Sequence, residues 1–390
     1  MAFRVETAVV DADDDKYHKA RRSRLATVCY ACAAFALVYA AYAFLSLPED
    51  ERHKVQNYLR YAKEDRYDLL YNSGYVSRPK SSAITKLAER GREFMGTYHV
   101  AILGLLGKTE GDFCALRHFL PQLEHLASRF HLADVALVAP LKGGAPDGLW
   151  DFLDGWAAKE PNRRHVYEEE ADAKDWAPEV KYSCGNGCAV EANGRCPDCE
   201  RFRRIGAFRN QGLRVLDALE HAKVKPFDFV IIVDPDLWGI DSMGVAETFA
   251  HHDWKVVCSN GVLAHGMYWD TIAFRDAKGK ELNRLDLQHM HDHFRQGNEL
   301  IPAQSCFGGL AIYEREAMRP CSYMQSWAPD SVRNECEHID FNKCIAENNG
   351  GEVFSNPRMK TWYGEHHMLR KTSYRADWWC FPSDTHEWFR

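Results

Sequence analysis

The chain alternates short apolar runs with longer stretches whose apolar residues recur at helical spacing. Val100 to Leu106 is an unbroken apolar run followed by the turn-like segment 107–111. Phe113, Leu116, Leu120, Leu123, Leu126 and Phe130 then repeat at helical intervals, with Pro121 among them. Asp134 to Val138 reads as a second strand, Leu149 to Ala158 as a helix and His165 to Tyr167 as a third strand. Over Arg204 to His221 one helical face carries Ile205, Phe208, Gly212, Val215, Leu216 and Leu219. The run Phe227 to Val233 is rich in β-branched and aromatic residues and stops abruptly at Asp234-Pro235-Asp236. A helix over 242–251 and a strand over 255–260 follow. Unbroken apolar strands are buried on both faces, and their alternation with helices predicts an α/β fold built on a doubly wound sheet.

The amino-terminal pattern differs. Residues 25–47 carry no charge and would span about 35 Å as a helix, enough to cross a bilayer. Lys16, Lys19, Arg21, Arg22 and Arg24 precede this segment, and Pro48-Glu49-Asp50-Glu51 follows it. The positive-inside rule then predicts a cytosolic tail (1–24), a transmembrane signal anchor (25–47), a stem (48–95) and a lumenal catalytic domain (96–390). A cleaved signal peptide would have a shorter apolar region that starts earlier.

Composition narrows the function classes. The chain is 46% hydrophobic and 27% charged, as expected of a globular protein, and its net charge of −7 speaks against a nucleic-acid partner. There are thirteen cysteines, of which Cys29 and Cys32 lie in the anchor; disulfides are expected if the rest face a secretory lumen. A cysteine-rich insert at 180–200 contains Cys184, Cys188, Cys196 and Cys199, a pattern open to two disulfides or to a small zinc site. Gly104-Leu105-Leu106-Gly107-Lys108-Thr109 imitates a P-loop, but the first glycine of that motif would fall at Ile102.

Asp234-Pro235-Asp236 is the chemical centre of the reading. Open α/β sheets bind ligands at the carboxyl ends of their strands. Two carboxylates there suit a hard divalent cation, Mn²⁺ or Mg²⁺, that leaves coordination places for phosphate oxygens. The competing structural role is to cap the helix that starts near Ser242.

Several further segments fall in an order that resembles a known family. Arg204-Ile205, Phe208-Arg209-Asn210 and Leu213 precede the metal strand. Tyr268-Trp269-Asp270-Thr271-Ile272-Ala273-Phe274-Arg275-Asp276 and Ser305-Cys306-Phe307-Gly308-Gly309-Leu310 follow it, then Glu335-Cys336-Glu337-His338-Ile339-Asp340 and Ser355-Asn356-Pro357-Arg358. Over roughly residues 98–364 this resembles the fungal capsule-associated α-1,3-mannosyltransferase family, glycosyltransferase family 69. It departs from that family at Asp234-Pro235-Asp236 and at Cys306-Phe307-Gly308-Gly309.

The resemblance implies a GT-A, Rossmann-like nucleotide-sugar transferase fold. It also implies a GDP-mannose or UDP-sugar donor, a glycan acceptor and a Golgi membrane location. By the same resemblance Asp234 and Asp236 would hold the metal, completed by His366 or His367, and Arg209 and Arg204 would face the diphosphate or ribose. Asn210, Asp270, Gly308 and Gly309 would contact the nucleotide sugar. Glu335, Glu337 and Asp340 would supply the carboxylate near the anomeric carbon, as a base in an inverting enzyme or as a stabiliser or transient nucleophile in a retaining one. A membrane-anchored glycan-binding protein on the same fold, without turnover, is the alternative.

Overall fold

The computed structural model describes residues 82–107, 110–170, 197–223, 225–263, 268–294, 299–323 and 336–363. Among these no helix is long and apolar enough to cross a membrane. The expected anchor at 25–47, Glu335, His366, His367 and all but the last few residues of the cysteine-rich insert lie outside them.

The strands β1 (His99–Leu105), β2 (Leu132–Ala139), β3 (Arg164–Glu168) and β4 (Phe229–Val233) form the parallel half of one ten-stranded sheet. Its order continues β9 (Leu310–Glu314), β6 (Val256–Leu263), β10 (Val353–Tyr363), β8 (Ile301–Ser305) and β7 (Arg275–Asp276), with β5 (Leu237–Ile240) pairing β10 off the main path. The unbroken apolar runs are explained by two covered faces. Along β1 and β4, Val100, Ile102, Ile231 and Val233 enter one core, whereas Ala101, Leu103, Val230 and Ile232 enter the other.

The first core is closed by α1 (Ser82–Met95), α2 (Glu110–Ala127), α3 (Leu149–Ala157) and α5 (Ser242–Thr248). The second is closed by α4 (Pro197–Lys223), α6 (Arg284–Phe294), α7 (Arg315–Met318) and α8 (Glu337–Asn349).

Two features depart from the sequence reading. Strand β9 runs antiparallel between β4 and β6, so the sheet is mixed rather than doubly wound and parallel throughout. Periodicity reports burial but not direction. In addition, residues 82–95, assigned above to the end of the stem, fold into α1 and bury Ala88 and Met95 in the first core. The folded body therefore includes them.

The connectivity sets the location of the site. From β1 the chain steps outward to β2 and β3, then α4 carries it back to β4 on the other side of β1. The carboxyl ends of β1 and β4 thus flank the point where strand order reverses, which is where open α/β sheets leave a crevice.

Candidate active site

Asp234 is the first residue beyond β4, and its backbone N–H donates to Gly309 O at 2.8 Å. Leu237 N reaches back to Asp234 O at 3.4 Å, closing a turn with Pro235 at its second position, where proline's fixed φ is favoured. The turn places both acids at the tip of the strand. The helix beyond is capped by Asp241, whose side chain accepts from Met243 N at 3.0 Å and Gly244 N at 3.1 Å. Asp234 and Asp236 are thereby relieved of the capping role that competed with the metal reading.

Arg209 lies beneath Asp234. Its side chain is only 6% exposed; Nε donates to Glu337 Oε1 at 3.0 Å and Nη2 to Asp234 Oδ1 at 3.3 Å. Its guanidinium sits over the Phe307 ring at 4.7 Å and near that of Tyr323 at 5.9 Å. Burial alone would favour losing the proton, but Asp234 and Glu337 outweigh it and hold Arg209 charged. Arg209, expected to face the diphosphate, forms the floor of the carboxylate cluster.

Helical geometry separates the other residues expected beside it. Five positions at 3.6 per turn put Arg204 about 140° around α4 from Arg209. Arg204 is exposed and lines a groove with Glu169, Glu170 and Arg214 near the end of β3. Asn210 turns away too: its amide donates to Tyr323 O at 3.0 Å and its carbonyl accepts from Tyr323 N at 2.8 Å. It anchors that backbone rather than presenting its amide to a nucleotide.

Asp270 and the glycine pair approach from the other side. Gly308 N donates to Asp270 Oδ2 at 3.0 Å. Both glycines have positive φ, +69° at Gly308 and +89° at Gly309. A Cβ on Gly308 would lie 2.1 Å from Ser259 O, and one on Gly309 would lie 2.6 Å from the Tyr363 hydroxyl. The pair is therefore required by protein backbone and by Tyr363, whatever a sugar also demands.

Glu337 and Asp340 occupy the first turn of α8, where the helix dipole favours negative charge. Glu337 is buried and committed to Arg209, so it supports Arg209 and is poorly placed to reach a sugar. Asp340 is half-buried on the same turn.

Among the described residues, Asp234, Asp236, Asp270 and Glu337 thus share one field with the Arg209 guanidinium. Burial pushes Asp234 up to about 7; Asp236, Asp270 and Glu337 add to the rise and Arg209 opposes it. Burial likewise raises Asp270 to about 6, with Glu337 adding and the Gly308 N–H opposing. Among the described residues no three Asp, Glu, His or Cys side chains converge enough to hold a metal by themselves.

A pH prediction follows. Unfolded carboxylates titrate near 3.9, so a raised folded value stabilises the native state fully below about pH 4, and that gain is lost as pH rises through about 6 to 7. Buried His291 and His338, held neutral, act with the opposite sign below about pH 6.5, so the carboxylate share is read as a difference: the metal-free melting temperature of Asp234→Asn relative to wild type should rise across this window, and saturating Mn²⁺ should raise that of wild type at pH 7. Asp134 does not blur the test: His165, His99 and Lys223 outweigh burial and hold it well below the usual range, so its effect lies on the acid side of pH 4.

Residues not singled out from sequence complete the site. Tyr363, at the end of β10, donates its hydroxyl to Asp234 Oδ2 at 3.3 Å. His338 stacks on Phe307 at 3.8 Å between centroids, and burial holds it neutral. The one available signal for Tyr363 was its place just before Gly364 and His366.

No protein-family model and no curated protein matches the chain. Among solved structures it is similar to "Mannosyltransferase PcManGT from Pyrobaculum calidifontis in complex with GDP-Man and Mn2+", at 12% identity and a TM-score of 0.34, covering 72% of this chain and 64% of that one. It is also similar to a mycobacterial protein, at 14% identity and a TM-score of 0.33, covering 71% of this chain and 69% of that one. A third is mannosyl-3-phosphoglycerate synthase from Rubrobacter xylanophilus, at 13% identity and a TM-score of 0.30, covering 71% and 69% respectively. The chain spans less than two thirds of the first neighbour's length. These likenesses are remote, and this chain's own residues carry the functional case.

Proposed function

We propose that the chain is a metal-dependent glycosyltransferase of GT-A type that moves a sugar from a nucleotide diphosphate donor to a glycan acceptor. The observation that carries this reading is the gathering, among the described residues, of Asp234, Asp236, Asp270 and Glu337 at the tip of β4, beside the strand-order reversal. A bound divalent cation would offset that charge and stabilise the negative charge left on the departing diphosphate. Asp234 and Asp236 would hold it, and His366 or His367 could complete its ligand set.

The protein's own part is largely positioning. Arg209 and Glu337 hold the base of Asp234, and the Gly308 N–H orients Asp270. Asp270 is set by that bond and by a backbone N–H from Ala273, and in this reading it would meet sugar hydroxyls. Asp340 is the candidate in the described part of the acidic segment for stabilising positive charge at the anomeric carbon, and Glu335 is its counterpart outside the described residues.

Mannose as the sugar, retention of configuration and membership of family 69 rest on the motif resemblance. Placement in the Golgi as a single-pass type II protein rests on residues 25–47 and the basic residues before them. Two disulfides, Cys258–Cys306 and Cys321–Cys344, support an oxidising compartment.

The test is nucleotide release. The purified full chain should release GDP from GDP-mannose, or UDP from a UDP-sugar, with Mn²⁺ or Mg²⁺ present. Chelation with EDTA should abolish release, and added Mn²⁺ should restore it. Turnover that persists in EDTA would sink the metal assignment.

A further inference from the structure

We propose that Tyr363 is a positioning residue for Asp234, fixing which way that carboxylate faces at the tip of β4. This rests on the metal reading above. The two oxygens of Asp234 are held by different groups: Arg209 takes Oδ1 at 3.3 Å and the Tyr363 hydroxyl takes Oδ2 at 3.3 Å. A carboxylate gripped at both oxygens has its plane set before any ligand arrives, and groups that orient metal ligands in this way tune the site.

The backbone of Tyr363 acts on the same turn. Strand β10 pairs antiparallel with β5, the strand that begins directly after Asp236, and Tyr363 stands opposite Leu237. The register shifts between Trp362 and Tyr363, with Trp238 of β5 the residue left without an opposite number, so Tyr363 pairs with the first residue of β5. Tyr363 therefore touches the Asp234–Leu237 turn twice, through its main-chain pairing after the turn and through its hydroxyl before it.

The surroundings are shaped around that hydroxyl. Tyr363 is 4% exposed, its ring lies 5.9 Å from that of Trp269, and position 309 has no Cβ to crowd its oxygen. Phenylalanine would fill the same space. A tyrosine whose buried oxygen must find a partner is the more demanding choice, and the partner it finds is a carboxylate of the proposed metal site.

The test is Tyr363→Phe in the full chain, with Mn²⁺ binding read by electron paramagnetic resonance in the presence of GDP. The expected result is a roughly 10- to 100-fold weaker affinity for Mn²⁺, the usual cost of losing a group that orients a metal ligand. The Mn²⁺ concentration for half-maximal nucleotide release should rise with it, while kcat at saturating Mn²⁺ changes little. Trp362→Phe, beside it and packed over Gly239, is the control for packing. It should lower the melting temperature and leave Mn²⁺ affinity in place.

Equal Mn²⁺ affinity in wild type and Tyr363→Phe would overturn the positioning role and leave the metal reading standing. Equal losses of affinity in the Tyr363 and Trp362 variants would also overturn it, by reducing the effect to packing. A wild-type chain that binds no Mn²⁺ would overturn the metal reading and this inference together.

Discussion

Asp236→Asn should reduce metal-dependent nucleotide release by roughly a hundredfold or more while leaving the fold intact. The substitution keeps the size of the side chain and one oxygen but removes the charge that a strongly hydrated Mg²⁺ or Mn²⁺ demands in exchange for water. Asp236 stands on the turn beyond β4, half-buried, so the change disturbs little packing. Its charge is one of those that raise Asp234. The metal-free variant should therefore melt at the same temperature as wild type or slightly higher. Loss of activity together with undiminished metal-free stability is the signature of a functional carboxylate. A variant that retains full Mn²⁺-dependent release would remove Asp236 from the metal site.

Arg209→Met should have the largest effect on stability. Methionine fills much of the volume over Phe307 but strands Asp234 and Glu337 in the site without their counter-charge. Breaking a buried ion pair by removing one partner costs about 3–5 kcal/mol, because the remaining charge is left desolvated. Lysine would not substitute well, since a point charge cannot reproduce the fork that meets both carboxylates. Denaturant midpoints would measure the loss. Adding Glu337→Gln to Arg209→Met should recover part of it by removing one stranded charge. If the double variant is no more stable than Arg209→Met, the pair is not the source of the cost.

What was legible in the sequence is what local chemistry dictates. The run Phe227–Val233 declared a strand buried on both faces, and the two acids that end it declared a site at its tip. Arg209 was visible as a basic residue on an amphipathic helix. Its partner was not, because Glu337 is 128 residues away in sequence and no periodicity connects them. Arg204 and Asn210 were grouped with Arg209 by proximity along the chain, whereas helical rotation sends the three side chains in different directions. The antiparallel insertion of β9 was hidden for a similar reason: the apolar run Leu310 to Tyr313 reads the same in either direction, and periodicity reports burial without strand direction. Asp241 does not stand out in the sequence as a cap because Asp234 and Asp236, at the end of an apolar run, are the more conspicuous acids.

The strand order carries a consequence for how the molecule is made. At the middle of the sheet, β1, β4, β9, β6 and β10 are neighbours although they span the chain from His99 to Tyr363. Pairings of this kind close long loops and form late, after local helices have been established. During synthesis the Asp234 strand emerges long before β9 can dock beside it or β10 can bring Tyr363 to the turn. The acidic cluster is thus assembled only when nearly the whole described chain is present, and a nascent chain carries the residues of the site without yet having one.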